Sequence, residues 1–243
     1  MFIKEELCIG CQKCVKFCPV GAIRTREGSR KPYIEFDDCV ECGSCLRMAK
    51  CPRSAIENNP ETFQEPRIQR KAFSDPQFNH PSVNFPGRGT EEVKTNDVSG
   101  VVRRGELAFG MEMGRPGTGT TMKDVAYVVQ ELAKIGVQLP KHNALYYLFS
   151  DVEHGIVNPI YINEKFLSAI IEFTVPMAKV PEVLKLINRV AGEIDTVFSM
   201  DAFGRFEDDG ETLPWLKVLE EYGIKPNPHA KVNLGMGRPL VTD

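Results

Sequence analysis

All eight cysteines of this chain lie between residues 8 and 51, and their spacing points to one chemistry. Cys8, Cys11 and Cys14 stand at C-x₂-C-x₂-C spacing, followed by Cys18-Pro19. Cys39, Cys42 and Cys45 repeat that spacing, and Cys51-Pro52 follows after five residues. Three thiolates spaced in this way wrap one face of an iron–sulfur cubane, and a fourth must come from elsewhere in the chain. Disulfides and zinc are the other uses of so many cysteines. A disulfide framework requires neither a repeated spacing nor a closing Cys-Pro in each group, so two iron–sulfur clusters are the preferred reading. Thiolate-held clusters suit a reducing, low-oxygen interior.

With these residues in view, the first 58 resemble a bacterial-type two-[4Fe-4S] ferredoxin domain, and C-x₂-C-x₂-C-x₃-C-P in the first half is a specific match. The resemblance implies two [4Fe-4S] clusters ligated crosswise. Carried over, Cys8, Cys11, Cys14 and Cys51 hold cluster one, and Cys39, Cys42, Cys45 and Cys18 hold cluster two. Neither half could then fold around its cluster alone, so metal binding and folding should be one event. The second half departs from the common form, because Leu46 to Lys50 place five residues before Cys51 where three are usual. The longer excursion changes the surroundings of cluster one without removing a ligand; a three-iron cluster there is the alternative.

The elements that must position these thiols are short. Phe2-Ile3, Ala22–Arg24, Tyr33–Phe36 and Ala55–Glu57 read as four small antiparallel strands. Gly21-Ala22-Ile23 follows the first Cys-Pro as Ser54-Ala55-Ile56 follows the second, which marks an internal repeat. Gly10 and Gly43 sit between ligands, where backbone N–H groups must approach cluster sulfur. Residues 1–60 carry ten Lys or Arg against eight acids, whereas freely diffusing ferredoxins of this type are usually acidic. Lys13, Lys16, Arg24, Arg26, Arg30, Lys31, Arg47, Lys50 and Arg53 could face an acidic partner or offset cluster charge, and Arg47 and Lys50, in the longer excursion, are the better candidates.

Residues 61–100 are rich in Pro, Asn and Ser and keep no helical or strand period. Phe63, Phe73, Phe78 and Phe85 nevertheless recur along them, so the expectation is an extended connector arm pinned by aromatic side chains. His80 reads as a surface residue of that arm.

Periodicity returns over residues 101–205. Val101–Met113 reads as a strand, and a helix capped by Thr121 and Asp124 runs to Ile135 and stops at Gly136. Ala144–Phe149 and Phe166–Val175 read as strands. A second helix opens at Pro181 and ends near Gly192, and Ile194–Met200 reads as a last strand. Strand, helix, strand, strand, helix, strand is the split β-α-β, ferredoxin-like order, which by pattern also resembles ligand-sensing modules of amino-acid metabolism. The fold class expected is therefore α+β: an N-terminal two-[4Fe-4S] ferredoxin domain (1–60), the connector, and a split β-α-β sandwich (101–205). A C-terminal helix and tail (206–243) follow, with Trp215 as the anchor. The Gly110–Gly119 run, with Arg103, Arg104 and Arg115, is either an anion site or a tight turn. Glu112 should face solvent or a subunit edge. Glu153-His154 reads as a polar hairpin. Arg-Pro motifs at 115–116 and 238–239 echo each other.

A net charge of −3 gives no bulk drive toward nucleic acid, and no apolar run reaches the length of a membrane span. The start of the chain lacks a signal-peptide layout, so a cytoplasmic location is expected. No flavin, nicotinamide, haem or molybdopterin signature is present. The functional reading is an electron-transfer iron–sulfur subunit of an anaerobic oxidoreductase complex, itself non-catalytic. Single electrons would pass through its clusters to or from a catalytic subunit, within a homo- or hetero-oligomer. Two alternatives stand beside it: a ligand-binding redox-regulatory protein, and an oxidoreductase with its own pocket in the second domain.

Overall fold

The computed structural model describes residues 1–79, 102–115 and 117–225. Its N-terminal module holds β1 (Phe2–Ile3), β2 (Ile23–Thr25), β3 (Pro32–Ile34), the short helix α1 (Ser44–Met48) and β4 (Ile56–Glu57). β1 pairs antiparallel with β4, and β2 with β3. The start of the chain is thus joined to the end of the second repeat, and the two repeats interlock. So small a module cannot build a large apolar core. Its interior is Met1, Ala22, Ile23, Ala49 and Ile56 packed among the cysteines themselves.

Residues 61–79 do not form the extended arm expected from their composition. A 3₁₀ turn over Pro60–Phe63, capped by Asn59, leads into helix α2 (Ile68–Ser74). Six of the seven α2 residues are buried, among them Gln69, Arg70 and Lys71. The helical period was hidden because the buried side chains are charged: both faces of α2 are covered, one by the cluster module and one by the second domain. Phe73 packs on Phe166 with ring centroids 4.8 Å apart. Phe63 and Phe78 lie on either side of the Lys71 ammonium, 5.8 and 5.7 Å away. The aromatic residues do pin this segment, but as a folded strap. Phe85 and His80 lie outside the described residues, as does the Arg-Pro echo at 238–239.

The second domain consists of β5 (Glu106–Met113), β6 (Thr120–Thr121), α3 (Met122–Lys134), β7 (Phe149–Asp151), β8 (Ile156–Val157), β9 (Lys165–Phe166), β10 (Ala169–Pro176), α4 (Val180–Val190) and β11 (Phe198–Gly204). β5 is the centre of an antiparallel sheet of order β10-β5-β11. Leu107, Phe109, Met111 and Met113 alternate along β5 and are fully buried, in one core with Val125, Val128, Val129 and Leu132 of α3 and Val183, Leu184 and Ile187 of α4. The cap of α3 is as expected: Thr121 Oγ1 accepts the Asp124 N–H at 3.2 Å, and Gly136 ends the helix at φ +71°.

The α+β class holds, and three strands of the split β-α-β order form the sheet. The strand expected at Ala144–Phe149 does not join it. Ala144–Leu148 is a 3₁₀ turn, because Asn143 accepts the Leu145 N–H (2.9 Å) and donates to Ile170 O (3.0 Å). Such an Asn cap stabilises a turn over an extended backbone. Only Phe149 begins a strand, in the small β7–β8 hairpin. Beyond the sheet, α5 (Pro214–Glu221) sets Trp215 against Gly204 of β11. Gly204 leaves room for the Trp215 indole, with which any Cβ there would collide.

Candidate functional site

Two cavities open inside the N-terminal module. The first is lined by Cys8, Cys11, Cys14 and Cys51. The second is lined by Cys18, Cys39, Cys42 and Cys45. Each takes three cysteines from one repeat and the fourth from the other. Ile3 and Ile56 wall the first, and Ile23 and Ile34 the second. Among the described residues no three His, Cys, Asp or Glu side chains converge closely enough to hold a single metal ion. Four thiols distributed around a volume suit a polynuclear group instead, so the donor set fits an iron–sulfur cluster in each cavity.

The internal repeat reappears as geometry. The Ala22 N–H points at Cys18 Sγ (3.1 Å) and the Ala55 N–H at Cys51 Sγ (3.4 Å). These are the two cysteines that cross between cavities. N–H donors to ligand sulfur stabilise its negative charge and tune the potential of what it holds. The cysteine loops turn through left-handed residues at matching places. Gly10 (φ +69°) corresponds to Glu41 (+58°), and Gln12 (+57°) to Gly43 (+69°). Gly10 and Gly43, singled out in the sequence, are therefore not equivalents of each other. Reversals of this kind curl a loop into a concavity of N–H groups. At Gly43 a Cβ would strike the Arg47 guanidinium.

Glu41, in place of glycine, carries left-handed strain of about 1–3 kcal/mol. Its carboxylate is fully buried and doubly held. Arg67 donates to it from Nε (2.9 Å) and Nη2 (2.7 Å), and the Met1 ammonium is its other partner. Burial alone would raise the Glu41 carboxyl, but these two cations outweigh it and hold the carboxyl below the usual carboxylate value.

The thiols show the opposite effect. Burial pushes Cys45 up to about 12 and Cys39 up to about 11, and it raises Cys14 too. Thiolates in these positions need iron to balance them.

The residues that fasten this module were not visible in the sequence. Arg70 donates to Glu164 (2.6 Å) and to the carbonyls of Asp37 (2.7 Å) and Cys39 (3.1 Å). Lys165 pairs with Asp38 at 2.6 Å, and Ser74 Oγ accepts the Leu167 N–H at 2.8 Å. Arg47, expected to face a partner, is turned inward. It donates to Cys42 O at 2.6 Å and pairs with Asp75 at 3.0 Å. No periodic pattern encodes these contacts. Their one trace is an Arg-Ile-Gln-Arg-Lys run between turn residues.

The second domain's candidates do not gather into one site. In the glycine-rich run the N–H groups of Thr118 and Gly119 both close onto Gly114 O, so they serve a turn. Arg115 pairs with Glu112 at 3.0 Å, and Arg104 pairs with Asp208. Arg103 donates its N–H to Glu106. Glu112 does not face solvent: it is buried, and Ser199 Oγ donates to it at 3.0 Å. His154 pairs with Asp151 (2.7 Å) on an exposed hairpin.

Two four-thiol chambers in an interlocked repeat define an iron–sulfur electron-transfer domain. A family model described as "4Fe-4S dicluster domain" matches residues 7–55. A 7Fe ferredoxin of Hydrogenibacillus schlegelii is 44% identical over 57 residues, covering 23% of this chain and 68% of that protein. The chain belongs, through this segment, to the dicluster ferredoxin family, and it carries two [4Fe-4S] clusters. A protein of Methanosarcina acetivorans named as part of an ion-translocating oxidoreductase complex is 50% identical over 53 residues, 22% of this chain and 19% of that protein. Pyruvate synthase subunit PorD of Methanothermobacter marburgensis is 35% identical over 60 residues, 25% of this chain and 65% of that one. All three alignments are confined to a quarter or less of this chain. No solved structure matches it. Among the described residues no helix is long and apolar enough to cross a membrane.

Proposed function

We propose that the chain is the electron-transfer subunit of an oxidoreductase complex whose catalytic centre lies in another polypeptide. The observation that carries this reading is the pair of cross-supplied four-thiol cavities. Two of the relatives are named as subunits of oxidoreductases. In this reading Cys8, Cys11, Cys14 and Cys51 hold cluster one, and Cys39, Cys42, Cys45 and Cys18 hold cluster two. The clusters supply one-electron transfer when bound. The chain's own residues do the rest. The isoleucines of the cavity walls exclude water, and the Ala22 and Ala55 N–H groups stabilise sulfur charge on the crossing ligands. Arg67 and Arg70 fix the loop from Phe36 to Glu41 that leads into the second ligand set. Residues 1–60 form the cluster unit, residues 61–79 fasten it, and the second domain is the platform it is fastened to.

Anaerobic reconstitution of the full chain tests this. About eight irons and eight sulfides per chain, with clusters that each take up one electron, are expected. About seven irons would place a three-iron cluster in cavity one. Stoichiometric zinc, or iron that no low-potential reductant can reduce, would overturn the reading.

A further inference from the structure

The basic residues near the two cavities are compensated differently. Near cavity two most are paired, with Lys16 the exception. Arg24 and Lys165 share Asp38, Arg67 is on Glu41, Arg70 on Glu164, and Arg47 and Lys71 on Asp75. Beside cavity one Lys4 pairs with Glu57 at 2.6 Å, next to the wall residues Ile3 and Ile56, but three other cations stay unpaired. Lys13 lines the cavity, and Lys50 and Arg53 flank Cys51; all three are exposed. None of the three makes an ion pair among the described residues, and Lys16 rests only on the face of Phe17 at 5.2 Å. Glu5 and Glu6, ahead of Cys8, are exposed, and Glu57, four residues after Arg53, is taken up by Lys4. Ile9, which lines cavity one beside Lys13, is 62% exposed, and Val15, next to Cys14, is 38% exposed. Cys11 is the one cysteine of the eight whose residue is exposed.

We infer that this face is the docking surface for an acidic redox protein, which exchanges electrons through cluster one. The inference rests on the electron-transfer reading and adds the place and the partner's chemistry. An apolar centre inside a charged rim is the anatomy of a transient interface. Uncompensated cations there steer an acidic partner onto the shortest route to a cluster, while the paired cations of cavity two steer nothing. Lys50 itself adopts a left-handed backbone (φ +45°) directly before Cys51.

The probe is a purified acidic flavodoxin, used with the reconstituted full chain. In the electron-transfer step the reduced flavodoxin flavin loses one electron and one cluster gains it. Calorimetry should give micromolar binding of oxidised flavodoxin at about 20 mM salt, weakened about tenfold or more at about 500 mM. The variant Lys13→Glu/Lys50→Glu/Arg53→Glu should lose binding, and its stopped-flow reduction by flavodoxin hydroquinone should slow about tenfold or more. Its reduction by a small neutral radical donor should be unchanged, which shows intact clusters. Equal binding and equal flavodoxin rates for variant and parent would overturn the docking surface. Failure of both donors to reduce the parent would overturn the electron-transfer reading itself.

Discussion

Cavity one and cavity two are written with the same C-x₂-C-x₂-C repeat and share the same N–H···S contact, yet their surroundings diverge. At cavity two, Cys39, Cys42 and Cys45 are all buried. The loop that leads into them is tied from the strap by Arg67 and Arg70, and Arg24, Arg47, Arg67 and Arg70 each pair with a carboxylate. At cavity one, Cys11 is exposed and Lys13, Lys50 and Arg53 make no ion pair among the described residues. A near-symmetric ferredoxin unit has thus been made polar by one helix packed against one side. On the proposed reading, the strap fastens the loop of the second ligand set, and cluster one is the one offered to a partner.

The largest effect that tests this contrast comes from the buried ion pairs. Arg67→Met leaves Glu41 buried with one of its two cationic partners gone, and breaking a buried pair in this way costs about 3–5 kcal/mol. The midpoint of thermal unfolding should fall, and cluster two should bleach faster than cluster one. Lys13→Met, on the other cavity, should change stability by no more than about 0.5 kcal/mol. Similar losses from both variants would mean that the strap does not distinguish the cavities.

A smaller effect should appear with pH. Burial raises the Asp75 carboxyl, but the hydrogen bond from Lys71, the Gln77 N–H and the Arg47 guanidinium outweigh it and hold the carboxyl below its ordinary value of 3.8. A carboxyl depressed in the folded state contributes stability that is complete above the ordinary value. That contribution is lost as pH falls through the depressed one. Asp75→Asn should therefore lower stability at neutral pH, with the gap to the parent closing as the solution is made acidic below the usual carboxylate range. A gap that stays constant with pH would show that the Asp75 charge does not fasten α2.

The cluster module was legible because its information is local. Cysteine spacing, Cys-Pro and the Gly-Ala-Ile repeat each fix a short piece of backbone, and the left-handed turns and N–H···S contacts follow from them. The central strand β5 and helices α3 and α4 were legible from alternation and from caps at Thr121 and Gly136. What failed was non-local. Arg70 is buried because Glu164, 94 residues away in sequence, meets it, and nothing near residue 70 announces that partner. A window rich in Pro and charge therefore read as an arm although it folds as a strap. Ala144–Leu148 carries strand-like apolar residues, but Asn143 caps them into a turn. Glu112 read as exposed from its type and is buried because Arg115 and Ser199 satisfy it.

The most direct test of the central claim is electron paramagnetic resonance of the reduced full chain with serine placed at single cysteines. The claim is that cavity two takes its fourth ligand from the first repeat. If it does, Cys18→Ser alters the same cluster signal that Cys45→Ser alters, and Cys51→Ser alters the signal that Cys14→Ser alters. If Cys18→Ser instead moved the signal of Cys14→Ser, each repeat would hold its own cluster. The interlocked module, and the polarity built on it, would then be wrong.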